Sequence, residues 1–252
     1  MMGLFQDMLL SLRCLTFLVI LGFFVLTGCA SKEKSVQFEQ AWNSTVNYTK
    51  NECEPIINSG IIKKPIQEVW KNVSQGLYDS KDFTVIYVSE KDKYIKAFFD
   101  SDFPNKLIDC GITERLFSKN HTVEYRYPTA ASSSYLAYKG EVKDGRIISR
   151  IRRETSLKGK VSVLIQAVKE ASCKLTVVCD YTLIADIYEK AHVEAPDGEV
   201  KESEEMPKKT FYHTFHTNRK NNSNWGVAQE PVYVECCSNG VIERFIIKMA
   251  MK

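Results

Sequence analysis

From Gly60 onward the chain switches between two spacings of apolar residues. Ile61-Ile62 suggests a short strand, and Pro65 then stands where a first helical turn accepts proline. Ile66, Val69, Trp70, Val73 and Leu77 recur at intervals of three and four, separated by Gln67, Glu68, Lys71, Asn72 and Gln75. That stripe predicts an amphipathic helix with Trp70 in the core. The period then shortens. Thr84 to Ser89 (TVIYVS) and Tyr94 to Asp100 (YIKAFFD) read as a hairpin across the charged turn Glu90-Lys91-Asp92-Lys93. Leu107 to Ile112, His121 to Tyr127, Ile147 to Arg153, Leu157 to Val168 and Cys173 to Tyr188 continue the strand series. The last two are joined across Lys169 to Ser172, while Pro128 to Ser134 (PTAASSS) reads as a small-residue loop. Glu194 to Lys209 is acidic with two prolines and reads as a mobile exposed loop. Thr210 to His216 and Val232 to Glu235 are the last expected strands. Ser238 is the expected N-cap of a closing helix striped by Val241, Ile242, Phe245, Ile246 and Met249.

Strands joined by short turns, with helices on one face, define an antiparallel α+β domain, expected here over residues 59–252. The order strand, helix, strand series, terminal helix resembles the helix-grip fold, in which a curved sheet wraps a helix. Periplasmic lipoproteins also use that fold, among them the C subunit of the outer-membrane β-barrel assembly machinery.

The N-terminus has a different pattern. Leu15 to Leu26 (LTFLVILGFFVL) is about a dozen residues without a charge. A membrane-spanning helix needs roughly 20 apolar residues, so the run suits the apolar core of a signal peptide instead. Arg13 is the one basic residue before it, opposed by Asp7, and a start at Met8 would remove Asp7. Leu26-Thr27-Gly28-Cys29 then resembles the lipobox of bacterial lipoproteins: an aliphatic residue, two small ones and a cysteine. The resemblance implies a signal peptide over residues 1–28, diacylglycerol on the Cys29 thiol, and Cys29 as the first mature residue. Ala30 in the next position implies sorting to the outer membrane, facing the periplasm, if the cell is Gram-negative. Residues 29–58, polar with Trp42 and Tyr48 as the main large apolar groups, read as a tether of up to about 80 Å.

Removing residues 1–28 from the 252 leaves 224, enough for one substantial core or two small ones. Net charge stays near +3, which points neither to nucleic acid nor to an unusual membrane patch. Cysteine usage is more informative. Beyond Cys14 and Cys29 the chain carries Cys53, Cys110, Cys173, Cys179, Cys236 and Cys237, an even six in an exported protein, hence disulfide candidates with 15 possible pairings. On one strand Cys173 and Cys179 would stand roughly 20 Å apart, too far to bond to each other. Cys236 and Cys237 are adjacent and would need a strained ring. Each therefore bonds elsewhere or stays a small buried hydrophobe.

Leu107-Ile108-Asp109-Cys110-Gly111, Leu157-Lys158-Gly159-Lys160-Val161 and Cys237-Ser238-Asn239-Gly240-Val241-Ile242-Glu243 are similar to phrases in a broad group of uncharacterised bacterial lipoproteins. That resemblance implies a bond from Cys110 to Cys236 or Cys237, with Cys173 and Cys179 outside the pattern.

Catalytic signatures are missing from the sequence: no GxSxG, HExxH or phosphate-cradling glycine loop occurs. His213 and His216, three apart in a strand, should face opposite ways as exposed or edge residues, and no metal is expected. Alternation splits Arg152 from Arg153, so Arg146, Arg150, Arg152 and Arg153 make no nucleic-acid platform. The expectation is a non-enzymatic, cofactor-free subunit of an envelope assembly, anchored to membrane by its N-terminal lipid and engaging an envelope protein. The alternative is a binding module for a small apolar ligand between sheet and helix, with Phe98, Tyr125, Tyr127 and Tyr135 as lining.

Overall fold

The computed structural model describes residues 43–118, 122–219, 221–224 and 233–252, all within one unit spanning Gln40–Lys252. The segments expected to be a signal peptide and lipobox, together with Cys29, Trp42 and His121, lie outside the described residues. The chain opens with β1 (Asn43–Thr49), β2 (Ser59–Ile62) and helix α1 (Ile66–Asp79). A hairpin of β3 (Thr84–Ser89) and β4 (Tyr94–Ser101) follows, then short β5 (Ile108–Asp109), β6 (Ile112–Ser118) and β7 (Thr122–Pro128). Next come β8 (Ser133–Val142), β9 (Gly145–Lys169) and β10 (Ser172–Glu194). The chain closes with β11 (Val200–Glu205), β12 (Lys209–His216), β13 (Asn221–Asn224), β14 (Tyr233–Ser238) and α2 (Val241–Met251). All strand pairs are antiparallel, and the molecule is an α+β protein.

β9 and β10 form one long hairpin, 25 and 23 residues, paired from Ser172↔Lys169 to Glu194↔Arg146. Alternation fixes its faces. Leu157, Val161, Val163 and Ile165 on β9 and Leu175, Val177, Cys179, Tyr181 and Leu183 on β10 are buried. Lys158, Lys160, Asp180 and Thr182 between them line the outer face. Both helices cover the buried face: Val69, Val73 and Leu77 of α1 and Ile246 and Ala250 of α2 are fully enclosed there. Each buried aliphatic side chain contributes ~1.5–3 kcal/mol relative to exposure. Farther along the ribbon a second, smaller core gathers Tyr135, Ala137, Ile151 and Ile187, flanked by Tyr125, Tyr127 and Phe211.

A row of aromatic residues crosses the main sheet, made possible by one glycine. Phe99 and Tyr181 are the two cross-strand neighbours of Gly159, and Phe215 is the neighbour of Tyr181. Ring centroids lie 5.8 Å apart for Phe99–Tyr181 and 5.0 Å for Tyr181–Phe215. The Phe99 ring lies over Gly159, where an added Cβ would come within 2.0 Å of it. The glycine thus gives up side-chain packing of its own and a neighbouring ring restores it.

Several expectations need correction. The strands expected over 147–153 and 157–168 are one strand, because Thr155 and Ser156 keep the alternation unbroken. Ser133 and Ser134 open β8 and do not belong to a loop; the Thr155 N–H donates to the Ser132 hydroxyl at 2.9 Å, fixing that turn. The acidic segment is half strand: β11 pairs with β10 from Lys190↔Glu205 to Glu194↔Val200. Residues 43–58 are no tether, since β1 pairs with β6 along its whole length, from Asn43↔Ser118 to Thr49↔Ile112. Gly240, in left-handed conformation, caps α2 where Ser238 was expected, and the Ser238 hydroxyl accepts the Gly240 N–H at 2.9 Å instead.

Gly159→Val should therefore lower stability by about 1–3 kcal/mol through overpacking against Phe99. Urea unfolding followed by tryptophan fluorescence checks this, and Phe99→Leu added to Gly159→Val should recover part of the loss.

Candidate functional site

Adjacent residues on a strand point to opposite faces, and β14 uses this at Cys236 and Cys237. Cys236 turns into the core and bonds Cys110, while Cys237 turns outward and bonds Cys53. The two bonds join residues 126 and 184 positions apart. The Cys110–Cys236 bond is the one of the two alternatives implied by resemblance that the structure contains. Cys173 and Cys179, also disulfide candidates, are free and buried in the main core. Burial raises both thiols, and Cys179 well above its ordinary value. They are small core residues.

The Cys53 bond completes a strap, residues 50–58, held at Asn51, Cys53, Ile56 and Asn58. Tyr48, just before it, donates its hydroxyl to the Glu235 carbonyl at 3.2 Å and accepts the Glu235 N–H at 3.1 Å, in place of a ladder rung. Burial pushes the Tyr48 hydroxyl up from its ordinary value. The Asn51 amide donates to the Asp109 carboxylate. Ile56 exchanges two hydrogen bonds with the Asn218 side chain, at 2.8 and 2.9 Å. Gly111 makes room at the start: it is left-handed, and a Cβ there would lie 2.2 Å from the Thr49 carbonyl oxygen.

Between strap and α2 lies a groove of about 670 Å³. Cys53, Pro55 and Ile57 form one wall and Arg244, Ile247 and Lys248 the other. A second groove, about 540 Å³, runs over the outer face of the sheet along Phe98, Asp100, Lys158, Lys160 and Asp180. There His216 Nδ1 lies 2.6 Å from Asp180 and Lys160 lies 3.2 Å from it. Partial burial alone would raise the Asp180 carboxyl, but these two partners outweigh it and hold it below its ordinary value. Among the described residues no group of His, Cys, Asp and Glu is arranged to hold a metal ion.

Beneath α2 is a buried carboxylate that the sequence reading missed. Glu243 sits in the first turn of the helix, where its charge meets the positive end of the backbone dipole. It accepts hydrogen bonds from the hydroxyls of Tyr181 at 3.0 Å, Thr217 at 2.8 Å and Ser238 at 3.1 Å. Thr217 in turn accepts the Cys179 N–H at 2.8 Å. Burial, with the nearby Cys179 and Glu243, holds the Tyr181 hydroxyl well above its ordinary range. The cluster ties α2 to β10 and to the turn after β12. Its one sequence signal was an acid three residues after the capping Gly240.

The remaining candidates scatter. Phe98 faces out on β4 and is 49% exposed. Tyr127 and Tyr135 stack, with Tyr125 edge-on to Tyr135, and Arg115 sits 3.8 Å over the Tyr135 ring. The four aromatics therefore line no common cavity. Arg152 is exposed, whereas Arg153 is buried and donates to the Thr129 and Ala131 carbonyls at 2.7 and 2.6 Å. Arg146 and Arg150 lie at the far end of the ribbon, facing β8 and β10. His213 is buried, not exposed, beside Phe215. Compared with protein-family models, curated proteins and solved structures, the chain matches none.

Two predictions follow from these groups. Under native, non-reducing conditions only denaturation should open Cys173 and Cys179 to iodoacetamide, and tandem mass spectrometry should return Cys53–Cys237 and Cys110–Cys236. Burial lowers His213 to about 4 from 6.5, so the unfolded chain takes up a proton first as pH falls. Stability on the order of 3 kcal/mol is present above pH 6.5 and lost between 6.5 and 4. His213→Phe should flatten that part of the urea-midpoint-versus-pH curve.

Proposed function

We propose that this protein is a lipid-anchored subunit of a cell-envelope assembly, working through protein–protein contacts. The observation that carries the reading is the disulfide pair on β14. Two bonds closing long loops form and persist in an oxidising compartment, as expected of an exported chain. The lipobox-like Leu26-Thr27-Gly28-Cys29 supplies the anchor, with Cys29 carrying the lipid in the outer membrane, facing the periplasm. β1 begins at Asn43, so residues 30–42 join that cysteine to the first described strand. They reach about 45 Å at most, so the domain works close to the bilayer.

Packing favours an interaction role over a ligand pouch. Trp70, Leu77, Phe99, Tyr181 and Ile246 fill the space between sheet and helices, and the larger grooves open elsewhere. We also read the sheet with α1 and α2 as a variant of the helix-grip arrangement, with α2 clamped by Glu243. The surface offered to a partner is β3, whose six residues (TVIYVS) hold no charge and no proline.

Labelling with radioactive palmitate tests the anchor. Wild type should incorporate label and fractionate with membranes, and Cys29→Ala should lose both; unchanged labelling of the variant refutes the reading. Crosslinking in intact cells with mass spectrometry then identifies the contacts.

A further inference from the structure

A disulfide opens by attack of a thiolate on one of its sulfurs, so access separates exchangeable bonds from structural ones. The two bonds that meet at β14 differ in this respect. Cys110 and Cys236 are enclosed in the main core. Cys53 and Cys237 are only half-buried. Both line the groove shared with α2, and both also line a smaller cleft of about 200 Å³ beside Asn218 and Arg219. We propose that Cys53–Cys237 is a thiol–disulfide exchange site, opened by the dithiol of a Cys-X-X-Cys oxidoreductase, and that its state controls the strap over residues 50–58. This goes beyond the anchor reading and does not depend on it.

The bond is the main fastening of the strap. Asn51, Glu52, Glu54, Pro55 and Ile57 are all exposed, Ile57 at 76%, so burial holds these residues little. The hydrogen bonds at Asn51 and Ile56 are exposed to solvent as well. The flanking strands are secured independently, β1 by β6 along its whole length and β2 by β10. Asn58, next to β2, is tied to Val177. Opening Cys53–Cys237 therefore loosens residues 50–57 and leaves both flanks in place. The strap is one wall of the groove whose other wall is Arg244, Ile247 and Lys248, so the shape of that groove follows the state of the bond.

In the exchange, a thiolate of the oxidoreductase attacks one sulfur of Cys53–Cys237. A mixed disulfide forms, and the other sulfur leaves as a thiolate and takes up a proton. The second thiol of the oxidoreductase gives up its proton and attacks the mixed disulfide, expelling the remaining cysteine, which is protonated in turn. The dithiol loses two electrons, and Cys53 and Cys237 end as thiols. β14 keeps the reaction from spreading. Adjacent side chains on a strand point to opposite faces, so the freed Cys237 thiol faces away from Cys110–Cys236. Cys173 and Cys179 are enclosed in the main core, out of reach.

Timed reduction of the full-length oxidised protein in detergent tests this. Dithiothreitol is added without denaturant, samples are quenched with iodoacetamide, and the peptides are mapped by mass spectrometry. Cys53 and Cys237 should be alkylated together, about tenfold faster than Cys110 and Cys236. Hydrogen exchange over residues 50–57 should rise about tenfold while β6 and β10 stay protected. Thioredoxin whose second active-site cysteine is replaced by serine should be trapped on Cys53 or Cys237, and reoxidation should return the original pairs. Cys53→Ser with Cys237→Ser should show the same loosened strap, with circular dichroism unchanged. Equal rates for the two bonds, no trapping at either cysteine, an unchanged strap, or shuffled pairs after reoxidation would overturn the proposal. Palmitate labelling is read separately, so failure of the anchor reading and failure of the exchange site are distinguishable.

Discussion

The pairing of β9 with β10 is the constraint on which the rest of the structure depends. At about 3.3 Å per residue these strands run on the order of 80 Å, longer than a single core of this size can cover. The ribbon therefore carries two clusters, a large one under the helices and a small one around Tyr135 and Ile151. β2, β4, β8, β11 and β12 all pair with one of these two strands. Their faces are inherited from it, because a one-residue slip would turn every buried side chain outward. Gly159 sits in the middle of this ribbon, and the aromatic row Phe99–Tyr181–Phe215 crosses the core beside it.

The C-terminal elements are fastened to that ribbon by chemistry more than by area. β13 and β5 are short partners for β14, and two disulfides from neighbouring cysteines compensate. Glu243 supplies the complementary hold on α2. A buried carboxylate is costly unless its oxygens are saturated, and here three hydroxyls from separate segments meet it. The strap residues are pinned beside it as well, by the Cys53–Cys237 bond and the hydrogen bonds of Asn51 and Ile56. β3, by contrast, pairs among the described residues with β4 alone.

Much of this was legible locally. The α1 stripe, the β3–β4 hairpin across 90–93 and the closing helix follow from spacing, since each buries one face against the same sheet. Where the reading failed, the deciding contact came from far away in sequence. β1 has little hydrophobic pattern of its own and is a strand because β6 lies beside it. β11 is rich in glutamate, poor strand material, yet forms where the end of β10 presents a free ladder. His213 looked like an edge residue until β12 was placed against β10 with that side inward.

The sequence by itself determined the antiparallel α+β class, the faces of its strongest elements and an even set of cysteines beyond residue 29. These are local quantities, fixed by periodicity and composition within a window of a few residues. The tertiary structure alone decided which cysteines bond, because a disulfide needs two distant Cβ atoms brought within a few ångströms. It alone enclosed Glu243 among hydroxyls drawn from two strands and a turn. It also made β3 the end of the sheet among the described residues, since an edge is defined by the strand that is not beside it, and no local pattern encodes a missing neighbour.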